Sequence, residues 1–285
     1  MRQDELRRML EARGLAPLSR YGQNFLVDPA LLSVVAADAG VVPGERVLEV
    51  GSGAGALTAE LLAAGARVLA VEVDRGLAAW LRERFAAELD EGRLRLVEGD
   101  ALAAGERFHP EVEAWWSQGA APRLVSNLPY GISGPFLGRL PGRPLAGACL
   151  LLQREMAQRA AAGPGGPDYG PLSVRLRLAF ELRLGRHAPP QVFWPRPEVH
   201  SIFLHLRPCP DAASPAEDRV LAAWLRAAFT QRRKRALARL PPEAAAALQA
   251  QGVAAGARPQ EIAPDTWLAA VRAAKMICSH PDDPI

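Results

Sequence analysis

The chain has 285 residues, of which 49% are apolar and 23% are charged, a composition that excludes disordered and fibrous proteins. This length predicts one large domain and a smaller one, because single hydrophobic cores stop growing near roughly 250 residues. The formal net charge is +3, and residues 196–285 hold the whole excess, with 12 basic and 9 acidic side chains. So small an excess does not by itself indicate a polyanionic partner.

The cysteines and the N-terminus restrict the cellular setting. The three cysteines are widely spaced and odd in number, which predicts neither a disulfide framework nor a metal site. The first ten residues are charged where a signal peptide is apolar, and no apolar run reaches the roughly 20 residues that a membrane helix needs. We therefore expect a cytoplasmic protein that does not bind membranes.

Two helices are predicted before the first sheet strand. The first covers residues 3–13 and ends at Gly14, and the second begins at Asp28-Pro29 and runs to Gly40. Strands and helices then alternate, which is typical of right-handed β-α-β units on a parallel sheet. Strands are predicted over residues 46–50, 67–74, 93–97, 124–126, 148–153, 172–184 and 201–206, and helices over 57–64 and 77–89. The segment 172–184 could also be helical.

The C-terminal part has a different pattern. Residues 207–214 combine prolines with turn formers, as linkers do. Ser214 and Glu217 form a capping-box pair at the start of a helix predicted over residues 216–240. The sequence therefore predicts an α/β domain over residues 1–209 and a small all-α domain over residues 210–285.

A glycine-rich loop follows the predicted strand 46–50. Gly51, Gly53 and Gly55 allow the backbone to turn tightly and to approach a ligand, and the next helix begins with free N–H groups. The pattern is G-x-G-x-G and not the G-x-G-x-x-G of dinucleotide-binding proteins, and a loop of this kind is often only a connector. By itself, the loop is weak evidence for a ligand site.

Acidic residues at the next two strand ends strengthen that evidence. Glu72 follows Gly51 by 21 residues, where a carboxylate can accept hydrogen bonds from both ribose hydroxyls of a nucleoside. Asp100 ends the following strand, where it can accept one from an adenine amino group. Each could be a solvated strand-end residue, but ligands of open α/β sheets bind at this edge. Together they predict a nucleoside site, and their spacing resembles that of class I S-adenosylmethionine-dependent methyltransferases, which have a Rossmann-like fold.

The motif N-L-P-Y at residues 127–130 follows the fourth predicted sheet strand. An adenine N6 amine is a poor nucleophile, and the Asn127 side-chain oxygen and the Leu128 carbonyl could hold both of its hydrogens and direct its lone pair at a methyl group. Pro129 would fix the turn and Tyr130 would stack on a flipped base. An ordinary Asn-Pro turn beside a core tyrosine is the alternative. These four residues are the predicted catalytic group.

With these motifs taken together, the chain resembles the ribosomal small-subunit rRNA adenine N6,N6-dimethyltransferase family over nearly its full length. The matching segments are Y-G-Q-N-F-L at 21–26, V-L-E-V-G-S-G-A-G-A-L-T at 47–58, V-E-V-D at 71–74, G-D-A at 99–101, N-L-P-Y at 127–130, L-L-Q-R-E-M-A-Q-R at 151–159, D-Y-G-P-L-S-V at 168–174, F-W-P-R-P-E-V-H-S at 193–201 and Q-R-R-K-R at 231–235. The resemblance implies a methyltransferase domain followed by a small helical domain.

The resemblance also assigns residues to S-adenosylmethionine. Asn24 and Leu26 would form an N-terminal flap over the cofactor, and Gly51 would lie at its methionine end. The full set implied to bind the cofactor is Asn24, Leu26, Gly51, Gly53, Glu72, Asp100 and Asn127. The implied partner is small-subunit rRNA in a pre-30S or 30S particle, and we expect the protein to act as a monomer.

Substrate recognition is predicted from a basic segment and an aromatic residue. Six cations without an acid lie between residues 226 and 239, at the end of the predicted helix 216–240. A helix C-terminus favours positive charge in any case, but the resemblance at residues 231–235 favours phosphate binding by Arg232, Arg233 and Lys234. Phe193 could stack on the target adenine, or it could be a core residue.

This sequence departs from the family pattern at two positions. Gly131 stands where the family usually has asparagine, which leaves the extent of methylation open, and Ser52 stands where proline is common.

Other functions stay open beside dimethylation of two adjacent adenines near the 3′ end of small-subunit rRNA. One is methylation of large-subunit rRNA of the macrolide-resistance type, and another is ribosome assembly with methylation as a secondary activity. A DNA or small-molecule N-methyltransferase is disfavoured because no lid or target-recognition domain is evident.

Overall fold

The computed structural model describes residues 2–103 and 107–278, with the backbone alone for 275–278. These residues form two compact units. The first comprises the described residues up to Arg139 together with Pro144–Ala157 and Arg183–Arg207. The second comprises Leu140–Arg143, Gln158–Leu182 and the described residues from Pro208 on. The predicted domains, 1–209 and 210–285, stay a prediction, and their residues 1, 104–106 and 279–285 lie outside the described part of the chain.

Nine strands are described, in two sheets. They are β1 (Phe25–Leu26), β2 (Arg46–Val50), β3 (Arg67–Glu72), β4 (Leu94–Glu98), β5 (Arg123–Asn127), β6 (Gly147–Gln153), β7 (Phe180–Ala188), β8 (Phe193–Trp194) and β9 (Ser201–Pro208). The main sheet has the order β4-β3-β2-β5-β6-β9-β7, and β1 pairs with β8 in an antiparallel two-stranded sheet. Strands β4, β3, β2, β5 and β6 are parallel, so their carboxyl ends share one edge of the sheet.

Twelve α-helices are present in the described residues. They are α1 (Gln3–Ala12), α2 (Pro29–Asp38), α3 (Ala56–Ala63), α4 (Arg75–Arg84), α5 (Ala86–Asp90), α6 (Pro110–Ser117), α7 (Ser133–Leu137), α8 (Arg154–Ala160), α9 (Pro171–Ala179), α10 (Pro215–Phe229), α11 (Pro242–Ala250) and α12 (Pro264–Cys278). Within the part of the chain that the structure describes, no helix has the length and apolar character required to traverse a bilayer.

The sequence explains the central strands and their caps. Strands β2 and β3 are nearly continuous apolar runs, as expected where helices cover both faces of a parallel sheet. Asp28 caps α2 by accepting a hydrogen bond from the Leu31 N–H at 2.8 Å. The Rossmann-like α/β fold predicted from the alternation of strands and helices is confirmed.

The second unit is built around buried helix faces. Trp267 and Leu221 are fully buried in its core, and the Tyr169 hydroxyl donates to the Ile262 carbonyl at 2.9 Å. The capping box predicted at the start of α10 is present, because the Ser214 and Glu217 side chains each accept from the backbone N–H of the other.

Three predicted elements differ from the structure. The helix predicted over residues 77–89 is divided at Phe85 into α4 and α5. The segment 172–184, predicted as a strand or a helix, is helical to Ala179 and extended from Phe180. The helix predicted to reach residue 240 ends at Phe229, so residues 231–235 do not form a helix end.

Candidate active site

A cavity lies where the carboxyl ends of the parallel strands meet the N-terminal segment. Its walls come from four parts of the first unit: α1 with the segment around β1, the glycine loop after β2, the end of β3 and the turn after β5. Among its lining residues are Leu6, Asn24, Leu26, Glu49, Gly51, Gly53, Glu72, Asn127, Leu128, Pro129 and Tyr130. The cavity thus contains all four residues of the predicted catalytic group and six of the seven predicted cofactor residues. Asn127 belongs to both sets, and Asp100 is the cofactor residue that does not line the cavity.

The glycine loop needs its glycines for two reasons. Gly51 and Gly53 have φ values of +74° and +57°, a backbone conformation that side chains disfavour. A Cβ atom on Gly51 would also lie 2.6 Å from Cγ of Pro129, closer than two carbon atoms can approach. The loop after β2 and the turn after β5 are therefore in direct contact.

The Glu72 carboxylate organises the edge of the cavity. Its Oε2 accepts a hydrogen bond from the Gly53 N–H at 2.7 Å, and its Oε1 accepts one from the Asp74 N–H at 2.9 Å. Burial raises the pKa of Glu72, and these two backbone donors oppose that rise. A carboxylate has about four lone-pair positions, so Glu72 can also accept a hydrogen bond from a ligand.

Glu49 is a second buried acid in the cavity wall. Its Oε2 accepts a hydrogen bond from the Thr58 hydroxyl at 2.6 Å. Burial raises the pKa of Glu49 to about 8, well above its ordinary value of 4.5. Sequence reasoning did not select this residue, although it belongs to the quoted segment 47–58.

The pKa of Glu49 predicts a pH dependence of stability. Between pH 4.5 and about 8 the carboxyl is ionised in the unfolded chain and protonated in the folded one. The free energy of unfolding should therefore fall as the pH rises through this range, and Glu49→Gln should reduce that fall. Urea unfolding at several pH values measures it, with Glu60→Gln on α3 as the control. An equal pH dependence in the wild type and in Glu49→Gln would contradict the prediction.

The orientation of the Asn127 amide is fixed by the N-terminal segment. Its Nδ2 donates a hydrogen bond to the backbone carbonyl of Asn24 at 3.0 Å. Because the nitrogen is used in this way, Oδ1 is the amide atom left to accept from a substrate. The turn that follows is held by the Ser133 hydroxyl, which donates to the Pro129 carbonyl at 3.0 Å. A Cβ on Gly131 would meet open space, so the missing side chain there leaves no packing defect.

Tyr130 forms the outer part of the same turn. Its half-buried ring lines the cavity, and its hydroxyl lies 2.7 Å from Oγ of Ser201 on β9. Burial raises the pKa of Tyr130, so the hydroxyl is protonated near neutral pH.

Two predicted site residues of the first unit lie elsewhere. Asp100 is exposed and is not among the lining residues, and its Oδ1 accepts from the Leu102 N–H at 2.9 Å. Phe193 is buried in the core and pairs with Leu26 between β8 and β1. In this structure neither side chain faces the cavity, and their ligand roles stay predictions.

The basic segment belongs to the second unit. Arg232 donates a hydrogen bond to the Gly166 carbonyl at 2.7 Å, so one of its donors supports a loop of that unit. Arg233 and Lys234 are exposed. Of the three predicted phosphate ligands, these two are the freer to meet RNA.

The N-terminal segment contributes more than its motif predicted. Leu6 of α1 lines the cavity, and the Gln23 amide donates to Asp74 Oδ2 at 3.0 Å while accepting from the Leu18 N–H at 2.7 Å. The quoted segment 21–26 was the available signal for Gln23, whereas nothing in the sequence selected Leu6.

The model of the family described as "Ribosomal RNA adenine dimethylase" matches residues 18–275. The chain belongs to the ribosomal RNA adenine dimethylase family. The match begins after α1, so Leu6 lies before the part of the chain that the family model covers.

Relatives and solved structures agree with membership of the dimethylase family. "Ribosomal RNA small subunit methyltransferase A" of Parasynechococcus marenigrum (strain WH8102) is 40% identical over 270 residues, covering 89% of this chain and 85% of the relative. The protein of the same name from Leifsonia xyli subsp. xyli is 40% identical over 271 residues, covering 90% and 92%. The crystal structure of the 23S rRNA methyltransferase ErmE has a TM-score of 0.64 at 26% identity and covers 88% of this chain and 100% of its own. A dimethyladenosine transferase from Plasmodium falciparum has a TM-score of 0.68 at 21% identity, with coverages of 88% and 98%, and supports the fold alone.

Proposed function

We propose that this enzyme transfers methyl groups from S-adenosylmethionine to N6 of two adjacent adenines near the 3′ end of small-subunit rRNA. The observation that carries the proposal is the Asn127 amide, whose Oδ1 is left to accept hydrogen bonds beside the glycine loop. Membership of the adenine dimethylase family and the name of the relatives from Parasynechococcus marenigrum and Leifsonia xyli support the choice of substrate.

The cavity has the chemistry that S-adenosylmethionine requires. Glu72 is a buried acceptor suited to ribose hydroxyls, and Gly51 and Gly53, whose positive φ values turn the loop after β2, line the cavity beside it. Asn24 and Leu26 line the cavity from the N-terminal segment, as a flap would. When bound, the cofactor would supply a methyl group from its positively charged sulfonium, whose carbon–sulfur bond breaks as the new carbon–nitrogen bond forms and leaves a neutral thioether.

The residues of the turn after β5 would prepare the target amine. Asn127 Oδ1 and the Leu128 carbonyl accept its two hydrogens, which directs the nitrogen lone pair away from the adenine ring. Tyr130 stacks on the base that has left its helix. The amine gains a methyl group and then releases a proton to solvent, so the site needs no titrating base before transfer.

The proposed substrate is small-subunit rRNA within a pre-30S or 30S particle, which the protein meets as a monomer in the cytoplasm. The second unit carries the exposed cations Arg233 and Lys234, which are suited to RNA phosphates. A second candidate is methylation of 23S rRNA, because the structure of the 23S rRNA methyltransferase ErmE covers 88% of this chain at 26% identity.

Mass spectrometry of ribosomal RNA tests the proposal. Small-subunit rRNA from cells that lack the gene should lose dimethyladenosine at two adjacent positions near its 3′ end. Expression of the wild-type gene should restore both modifications. A loss confined to 23S rRNA would favour the second candidate, and unchanged RNA would refute both.

Removing the exposed cations should weaken RNA binding in a salt-dependent way. Arg233→Ala combined with Lys234→Ala should weaken binding to small subunits and reduce the slope of log affinity against log salt by about 1.4 to 1.8, because two fewer phosphates are neutralised. Cofactor affinity should not change. Filter binding at several salt concentrations measures the slope, and Arg219→Ala, an exposed arginine on α10, is the control. A slope equal to that of the wild type would remove both residues from the RNA contact.

A further inference from the structure

The hydrogen bond between Tyr130 and Ser201 joins two segments that are 71 residues apart in the chain. The Tyr130 hydroxyl and the Ser201 Oγ are separated by 2.7 Å, and Ser201 is fully buried. Both residues lie in segments quoted above, at 127–130 and 193–201, but neither the motifs nor the proposed chemistry gives Ser201 a role. A buried hydroxyl that contacts a predicted base-stacking residue is therefore unexplained.

The register of the sheet places Ser201 at the edge where the catalytic turn begins. Asn127, the last residue of β5, is opposite Leu151 of β6. Strand β9 runs antiparallel to β6, and its first residue, Ser201, is opposite Gln153. The start of β9 therefore lies at the carboxyl ends of β5 and β6. Because Ser201 belongs to a strand that is paired on both sides, its hydroxyl is a rigid anchor for a side chain in the adjoining turn.

We propose that Ser201 is a positioning residue that holds the Tyr130 ring at the angle required to stack on the target adenine. The inference rests on the proposed function. A tyrosine ring at a turn can rotate about two side-chain bonds, and a hydrogen bond from its hydroxyl to a buried strand removes much of that freedom. The ring face is thereby preset before the base arrives. Ser201 itself does not touch the substrate.

A double-mutant cycle tests this role. Ser201→Ala should lower kcat/KM for unmethylated small subunits by about 5- to 20-fold, the size expected for loss of one buried hydrogen bond. Tyr130→Phe keeps the ring and loses the same bond, so it should have a similar effect. If Ser201 acts through the Tyr130 hydroxyl, Ser201→Ala should cost almost nothing further in the Tyr130→Phe background. The affinity for S-adenosylmethionine, measured by calorimetry, should be unchanged in all three variants.

A spectroscopic measurement separates this inference from the proposed function. The chain has three tyrosines, so ¹³C-tyrosine labelling gives few ring signals, which Tyr→Phe variants can assign. Ser201→Ala should shift the ring signals of Tyr130 without any substrate present. Ser173→Ala, which removes another fully buried serine hydroxyl, should leave them in place.

Two results would overturn the positioning role. One is a Tyr130 ring signal that does not change in Ser201→Ala, and this result counts even if the wild type methylates no ribosomal RNA. The other is an equal loss of kcat/KM from Ser201→Ala in the wild-type and Tyr130→Phe backgrounds, which would mean that the serine supports the strand and not the ring.

Discussion

Asn127→Ala is expected to lower single-turnover methyl transfer to small ribosomal subunits by about 100-fold or more, while the fold and particle binding are largely retained. This is the size of effect seen when one preorganised polar group is removed from a transition state. The Leu128 carbonyl still accepts one hydrogen of the amine, but the second loses its partner. Rapid-quench measurements at saturating S-adenosylmethionine would report the chemical step alone.

Asn127→Asp provides the matched variant for this experiment. It keeps an oxygen acceptor but loses the Nδ2 donor that contacts the Asn24 carbonyl at 3.0 Å. We expect a loss smaller than that of Asn127→Ala if the acceptor matters most, together with weaker cofactor affinity if the contact with the N-terminal segment matters as well. Methyl transfer by Asn127→Ala at the wild-type rate would refute the catalytic assignment.

Glu72→Ala is expected to weaken S-adenosylmethionine binding by about 10- to 100-fold, because hydrogen bonds to a charged group contribute about 1.5 to 3 kcal/mol. The structure adds a second reason for the loss. The same carboxylate accepts from the Gly53 N–H, so its removal also releases the glycine loop. RNA binding should change far less. Titration calorimetry for the cofactor and filter binding for the RNA measure the two effects separately.

Glu98→Ala is the matched control for Glu72→Ala. It changes another glutamate at the carboxyl end of a parallel strand, but this one is exposed and pairs with Arg82 at 3.0 Å. Its effect on cofactor binding should be within about twofold, as for most surface substitutions. Glu72→Ala with wild-type cofactor affinity would show that the ligand does not use this carboxylate.

The strands of the sheet were predictable because the apolar run that marks each strand, and the residues that bound it, are adjacent in the sequence. Strands β2 and β3 are apolar runs that begin and end at charged residues or glycines, and the predicted strand 46–50 has the same limits as β2.

The early end of α10 was not predicted from the sequence, because arginine and lysine are good helix formers. Residues 230–235 contain no apolar side chain to bury, and the Ala236 N–H donates to the Ala257 carbonyl at 2.8 Å. The helix therefore ends before these residues, and a tertiary hydrogen bond holds the chain that follows them.

The division of the helix predicted over 77–89 also has a tertiary cause. Phe85 is buried against the glycine loop, where a Cβ on Gly55 would lie 2.6 Å from its ring. The spacing of apolar residues within 77–89 does not predict this contact, because Gly55 and Phe85 are 30 residues apart in the chain.

The structure brings the predicted site residues of the motifs at 21–26, 47–58 and 127–130 to one cavity, whereas Asp100 lies outside it. A carboxylate at a strand end can line the cavity, as Glu72 does, or lie outside it, as Asp100 does, although both accept a hydrogen bond from the backbone N–H two residues on. Spacing alone does not distinguish these cases. The contact between the Asn24 carbonyl and Asn127 was also beyond sequence reasoning, because a backbone atom leaves no trace in the residue type.

The close approach of Gly51 to Pro129 also restricts how this enzyme can evolve. Any mutation that adds a side chain at residue 51 pushes against the proline ring, so it disturbs the turn that carries Asn127 and Tyr130 as well as the loop itself. A replacement of Pro129 by a smaller residue would relieve the overlap but would release the turn. A substitution at residue 51 or residue 129, alone or one after the other, should therefore almost always impair the enzyme. Variation should instead accumulate at sites such as Gly131, where added atoms meet open space.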